Sequence, residues 1–346
     1  MNYGDLTPQH VLDALDAVGQ RGDGRILQLN SYENRVFQVM LEDTTGPVGA
    51  AVVAKFYRPG RWSNAQILEE HQFALELAAA EVPVVPPLVL TAPATNASLT
   101  LHGDPPTLAC DVAPTLPHRF TVAARCAGRA PELDNPAVLR QIGRFIGRLH
   151  SVGRRRPFVH RHVLNAAVDG QRARNLLLDG GFVTAGEVPA WRAACDQALA
   201  ATSAAFDAMA PLSTLRLHSD CYPGNVLWRQ DGLLAGPHVV DLDDAMQGPA
   251  VQDLWMLVSG HRASMAQQLG TLLEGYEQFS DFDDRERALI EPLRTLRMLR
   301  HSAWLAERWG DPTFPLNFPF FGTAAYWSQQ TAQLREQIEA MSGSDN

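Results

Sequence analysis

Apolar positions change their period along this chain: short alternating stretches near the beginning give way to long stretches at helical spacing. Val11, Leu12, Leu15 and Val18 form one stripe behind Thr7-Pro8, a capping side chain followed by the residue best suited to a first helical turn, and predict a short opening helix. Ile26 to Leu29 and Arg35 to Leu41 read as strands around the polar loop Asn30-Ser31-Tyr32-Glu33-Asn34. Asp43-Thr44-Thr45-Gly46-Pro47 then reads as a turn into a third strand, Ala50 to Tyr57, completing a β-meander. Gln66 to Ala78 has a helical pattern, with Ile67, Phe73, Leu75 and Leu77 apolar and Glu69-Glu70 near its beginning. Phe120 to Ala124 predicts a further strand. Pro136 to Val152 predicts a helix with Ile142, Phe145, Ile146 and Leu149 on its stripe, where His150 has a structural rather than a catalytic place. Of the distal aromatics Trp309, Phe314, Phe318, Phe320, Phe321, Tyr326 and Trp327, most read as core or lobe-capping residues and some as walls of an acceptor cleft, and Met341 to Asn346, small or polar, as a frayed end.

Composition bounds this α+β pattern. The chain has 346 residues, 46% hydrophobic and 19% charged, which suits a soluble protein with room for two lobes. Lys plus Arg less Asp plus Glu is 29 − 38 = −9, so no global positive field recruits nucleic acid. The basic run Arg154-Arg155-Arg156, with His160-Arg161-His162 after it, reads as a solvated surface, with contact to an acidic substrate as the alternative. Cys110, Cys126, Cys195 and Cys221 form no Cys-x-x-Cys pair, which argues against zinc and disulfides and for a reducing cytosol. Met1 to Asp16 lacks the basic and apolar pattern of a secretory signal, and no apolar run approaches the roughly 18 residues of a membrane span, so no membrane partner is expected.

The segment from His218 to Asp241 carries the chemistry. Asp220 is placed to take a proton from a hydroxyl, and Asn225, five places on, offers an amide oxygen to a hard cation. After Val226-Leu227-Trp228 and a turn at Asp231-Gly232, the apolar pair Val239-Val240 predicts a buried strand whose end would aim Asp241 at the same cation. Oxygen ligands suit magnesium, which neutralises the ATP phosphates that otherwise repel a nucleophile. Singly, Asp220 or Asn225 is a turn cap beside Pro223-Gly224, and Asp241-Leu242-Asp243-Asp244 a solvated loop. Together they form a demanding pattern that reads as kinase machinery. Lys55 sits in an otherwise apolar strand, and an inward ammonium there needs an anion: a glutamate of the following helix, and ATP phosphates. An exposed lysine on an edge strand is the equal alternative. Ser31 and Asn34 can donate to phosphate oxygens, although their loop lacks Gly-x-Gly-x-x-Gly and an ordinary hairpin loop competes. In the link Cys126-Ala127-Gly128-Arg129-Ala130-Pro131 the adenine edge would meet backbone groups.

Leu29-Asn30-Ser31-Tyr32-Glu33-Asn34-Arg35-Val36, Lys55-Phe56-Tyr57-Arg58-Pro59, Ile67-Leu68-Glu69-Glu70-His71-Gln72-Phe73-Ala74, Asn225-Val226-Leu227-Trp228-Arg229, Val240-Asp241-Leu242-Asp243-Asp244-Ala245 and the stretch from Gly248 to Leu257 carry a resemblance that covers nearly the whole chain. It is to the bacterial stress response kinases, serine/threonine protein kinases related to the aminoglycoside phosphotransferase and choline kinase group. The resemblance implies a two-lobed protein-kinase-like fold: an antiparallel β N-lobe over residues 1–124, a hinge at 125–131 and a mainly helical C-lobe at 132–346. It implies Asp220 as proton acceptor, Asn225 and Asp241 as magnesium ligands with Asp241 also catalytic, and Ser31 at the ATP phosphates. Lys55 and Glu70 become the ATP-orienting pair, with Glu69 the alternative partner, and Asp253 a brace for the catalytic loop where the residue alone reads as a helix cap. Implied partners are ATP and Ser/Thr acceptors on proteins, and the implied state is a monomer. One departure stands out: the family's His-Gly-Asp is His218-Ser219-Asp220 here, so the backbone at 219 is expected to suit a non-glycine residue. Two other functions stay open. A kinase for a small hydroxylated metabolite or aminoglycoside shares every ATP residue, whereas a pseudokinase that binds nucleotide and transfers nothing has no need of Lys55, Asp220, Asn225 and Asp241 together.

Overall fold

The computed structural model describes residues 3, 6–46, 48–91, 99–111, 117–230 and 235–343. The chain divides into two compact units: Met1–His162, Arg216–Met246 and Met256–Ser280 form the first, and Val163–Leu215, Gln247–Trp255 and Asp281–Asn346 the second.

Six antiparallel strands make the frame of the first unit: β1 (Gly22–Leu29), β2 (Arg35–Leu41), β3 (Ala51–Phe56), β4 (Leu99–Gly103), β5 (Pro106–Asp111) and β6 (His118–Ala124), in the order β1-β2-β3-β6-β5-β4. The meander and the Phe120 strand are joined by a hairpin, β4 and β5, that extends the sheet. Lys55 pairs with Val36 on one side and Thr121 on the other, so its strand is central and the edge-strand alternative falls away. Alternation along β3 buries Val52, Ala54 and Phe56 in a cluster with Val11 and Leu15 of helix α1 (Pro8–Asp16), and turns Lys55 to the opposite face. That face meets helix α2 (Asn64–Ala79), which starts two residues before Gln66 because Ser63 and Gln66 close a capping box. Beside Ile67, Phe73 and Leu77, α2 buries Glu70 and His71.

Helix α3 (Pro136–Gly153) runs against α6 (Arg262–Tyr276) with their backbones touching. A Cβ at Gly143 would lie 1.9 Å from the Leu272 carbonyl oxygen, and one at Gly275 would lie 2.0 Å from that of Arg140. His150 is buried at this crossing with Nδ1 2.9 Å from the Tyr276 hydroxyl, the structural place expected of it. Between two three-residue strands, β7 (Leu215–Leu217) and β10 (Met246–Gly248), stands the hairpin of β8 (Val226–Arg229) and β9 (Gly236–Val239). Its turn at Asp231-Gly232 lies outside the described residues, as does Pro47 of the earlier turn. Arg129 of the link exchanges backbone hydrogen bonds with Trp228 (3.1 and 2.7 Å), an approach that leaves no room for a Cβ at Gly128.

The second unit holds helices α4 (Ala166–Asp179), α5 (Val188–Ala208), α7 (Ile290–Glu307), α8 (Thr313–Asn317) and α9 (Ala324–Ser342). Trp191 and Trp327 meet edge to face at 5.7 Å in its core, with Phe314 and Phe321 also buried; of the distal aromatics Trp309, Phe318 and Tyr326 are partly buried against this core and Phe320 is exposed. Met341 and Ser342, expected to fray, complete α9 instead. Asp253 is buried at the end of the 3-10 turn Ala250–Asp253. Among the described residues no helix is long and apolar enough to cross a membrane.

Candidate active site

A single imidazole ties together the two segments that carry Asp220 and Asp241. His218 is fully buried; its Nε2 donates to the Val240 carbonyl (2.9 Å) and its Nδ1 accepts the Asp220 N–H (3.2 Å), which requires the neutral Nε2–H tautomer. The backbones of Asp220 and of the residue before Asp241 are thereby tied to one ring. Asn225 reinforces this: its carbonyl accepts the Val240 N–H (3.1 Å), and its Nδ2 donates to the Asp220 carbonyl (2.9 Å) and to Asp220 Oδ2 (3.2 Å). With the amide nitrogen committed, Oδ1 is the atom left to Asn225 for a cation. Ser219 takes a φ of +73°, so the expected non-glycine backbone is not found: serine is held in the left-handed region that glycine prefers.

Lys55 comes to the same place from the sheet. Its Nζ is 3.4 Å from Glu70 Oε1, 3.4 Å from Asp243 Oδ1 and 3.9 Å from Asp241 Oδ1, and 4.8 Å from the centre of the Tyr57 ring. Burial disfavours the ammonium, but the carboxylates around it prevail and hold its pKa well above the ordinary value. Burial raises the Glu70 carboxyl despite the pull of Lys55, and Glu70 Oε2 is buried without a hydrogen-bond partner among the described residues. Both groups of this pair move upward; the charged pair is the state the 3.4 Å contact favours, because Lys55 is the cation in direct contact with Glu70 and Asp241.

Asp243, which the sequence offered only as part of an acidic run, is the hub of the cluster. It accepts from Lys55, from Asn34 Nδ2 (3.1 Å) and from Arg61 Nη1. Burial works to raise its carboxyl, but Lys55, Arg61 and Arg161 overcome this and hold it far below the carboxylate range. Asp241 differs. It leaves the strand end in a left-handed conformation (φ +63°) with 52% of its side chain exposed. Enclosure by protein, with Asp243 and Asp244 adding to it, raises its carboxyl against the pull of Lys55; the exposed half of the side chain relieves part of that push.

Of the other predicted residues, Ser31 stays outside this cluster: it is half-buried in the β1–β2 loop, and its hydroxyl makes no hydrogen bond to a described residue. Asn34 carries that loop to the site instead. Arg58 fastens it, donating from its backbone N–H to Asn34 Oδ1 (3.1 Å) and from its guanidinium to the carbonyls of Glu33 and Tyr32 (both 3.0 Å). Glu69 does not meet Lys55; it binds backbone N–H groups of residues 159–161. Arg161 corrects the reading of the basic run as solvated surface: it is 3% exposed and donates to the carbonyls of Asp243 and Ala245.

The donors fit a hard divalent ion. The amide oxygen of Asn225 and the half-exposed carboxylate of Asp241 are oxygen ligands, and Asp241 stands among carboxylates whose repulsion a cation relieves. Among the described residues no three His, Cys, Asp or Glu side chains converge into a protein-only cage. Magnesium is commonly held by one or two carboxylates, with phosphates and water completing its shell.

A central-strand lysine paired with a helix glutamate, an Asp-x-x-x-x-Asn loop and a left-handed acid after a hairpin define a kinase-type phosphotransferase. Residues 25–290 match the model of the phosphotransferase enzyme family, and the chain belongs to that family. Stress response kinase A of Escherichia coli (strain K12) is 42% identical over 336 residues, covering 97% of this chain and 94% of that protein. Serine/threonine protein kinase RdoA of Salmonella typhimurium (strain LT2) is 41% identical over the same shares. Among solved structures, amicoumacin kinase hAmiN superposes with a TM-score of 0.67 at 17% identity, covering 96% of this chain and 93% of its own. Choline kinase LicA from Streptococcus pneumoniae superposes with a TM-score of 0.59 at 12% identity, covering 96% and 98%. The fold is the two-lobed, kinase-like α+β fold of these enzymes, and the chain is a phosphotransferase that uses ATP and a hydroxyl acceptor.

Proposed function

We propose that this phosphotransferase is a magnesium-dependent serine/threonine protein kinase of the cytoplasmic stress response. The observation that carries the reading is the convergence of Lys55, Glu70, Asp241 and Asp243, with Asp220 and Asn225 bound to the same segment through His218 and Val240. Relatives 41–42% identical along almost the whole length carry names of that activity, and amicoumacin kinase hAmiN was solved with AMP-PNP and Ca2+.

Asn225 Oδ1 and Asp241 would hold magnesium, which would supply neutralisation of phosphate charge. Lys55, held by Glu70, orients the α- and β-phosphates, and Ser31 donates to phosphate oxygens from the β1–β2 loop. Asp220, steadied by the Asn225 amide, accepts the proton of the attacking hydroxyl. Residues 1–124 act as the N-lobe, 125–131 as the hinge that receives adenine on backbone groups, and 132–346 as the C-lobe. A second reading, a small hydroxylated acceptor, is supported by likeness to amicoumacin, aminopropanol and choline kinases.

Transfer of label from ATP, with and without magnesium, to a Ser/Thr-containing acceptor protein and to a panel of amino alcohols and aminoglycosides tests both readings. We expect protein to be labelled, and Asp220→Asn to lower kcat by about 10²–10⁴ with the fold retained. Label on small alcohols alone establishes the second reading, and native turnover by Asp220→Asn refutes the assigned base.

A further inference from the structure

Helix α2 carries adjacent acids that leave it in different directions. Glu70 turns to Lys55, whereas Glu69, about 100° round the helix, reaches the segment that follows α3. There its carboxylate accepts the backbone N–H groups of Val159 (2.5 Å), His160 (2.8 Å) and Arg161 (2.7 Å). Successive N–H groups aimed at one point make an anion-binding nest, closed here by an acid from another element. Gln66, one turn earlier, adds a bond from Nε2 to the His160 carbonyl (3.1 Å). The segment so clamped delivers Arg161, whose Nε donates to the Ala245 carbonyl (2.9 Å), whose Nη2 donates to the Asp243 carbonyl, and whose guanidinium lies 4.2 Å from the centre of the Trp62 ring. Arg161 therefore grips backbone on both sides of Asp244, in the loop that presents Asp241 and Asp243. Its Nη1 is buried with no hydrogen-bond partner among the described residues, a cost that packing alone does not require.

We propose that Glu69 and Arg161 are positioning residues through which helix α2 sets the Asp241–Ala245 loop at the same time as Glu70 sets Lys55. The proposal rests on the phosphoryl-transfer reading above. Both acids sit on one helix, so the phosphate-orienting pair and the metal loop are positioned by the same element.

Hydrogen exchange of the apo protein, read together with kinetics, tests this. In Glu69→Ala and in Arg161→Ala, amides of 241–246 should exchange roughly tenfold faster or more while those of α3 are unchanged, and the double variant should add little to the larger single effect. In the same variants kcat should fall roughly tenfold or more with the acceptor KM nearly unchanged. Arg161→Lys, which keeps the charge but cannot span two carbonyls, should behave like Arg161→Ala. Faster exchange confined to 159–161 in Glu69→Ala, uniform loosening of the whole unit, or a loosened loop with native kcat overturns the proposal. Because exchange is read without ATP, an inactive wild type would strike the proposed function and leave the coupling between α2 and the loop standing or fallen on its own evidence.

Discussion

Ser219 is the residue whose chemistry and conformation disagree most openly, with a φ of +73° one position before Asp220. Holding an L side chain in that region costs about 1–2 kcal/mol, and glycine's greater freedom in the unfolded chain returns about 0.5–1 kcal/mol of that. Ser219→Gly should therefore stabilise the protein by about 0.5–1 kcal/mol, visible as a higher Tm at unchanged kcat. A lower Tm would mean that the serine side chain contributes more than its backbone strain costs. At this scale Asp220, Asn225 and Asp241 were legible because their spacing is built into one short covalent segment. Asp243 and Arg161 were not: an acid in an acidic run and an arginine in a basic run look solvated, and only folding brings together two positions 82 residues apart.

At the scale of elements, the meander strands, β6 and helices α1, α2 and α3 followed their apolar periods, whereas the hairpin β4–β5 and the helices after α3 were not anticipated. Glu70 and His71 occupy the buried side of α2 because Lys55 and Tyr57 meet them there, which no helical period reveals. Gly143 and Gly275 have low helix propensity, and each is the place where α3 and α6 touch through backbone. Gly143→Ala gains about 1 kcal/mol of helix propensity, but its methyl group would press on the Leu272 carbonyl, so we expect a net loss of about 1–3 kcal/mol. Gly270 in the same α6 faces open space, and Gly270→Ala should stabilise by about 0.5–1 kcal/mol. Urea midpoints at constant m-value measure both; equal effects at the two positions would contradict a backbone-to-backbone crossing.

For the whole molecule, one contribution to pH dependence comes from the buried chain behind Lys55, beside His238 and His301, whose protonation burial also disfavours. The Tyr57 hydroxyl lies 2.8 Å from His71 Nε2, and His71 Nδ1 lies 2.8 Å from Thr107 Oγ1. Burial, aided by the nearby Lys55 charge, pushes His71 down to about 3. Between pH 6.5 and about 3 the unfolded chain thus holds a proton on His71 that the folded chain refuses, so stability falls as pH falls through that window. The slope from this one group approaches about 1.4 kcal/mol per pH unit. His71→Gln should flatten that limb in urea titrations at stepped pH, and an unchanged limb would assign it to other groups.

The division of labour at the site is the claim on which the rest depends: Asn225 and Asp241 hold the metal, and Asp220 handles the proton. Equilibrium binding of ATP across a magnesium titration separates those roles without requiring turnover. The account predicts that magnesium tightens ATP binding alike in the wild type and in Asp220→Asn, and that Asp241→Asn loses this tightening while still binding ATP at zero magnesium. Tightening that survives intact in Asp241→Asn would contradict it.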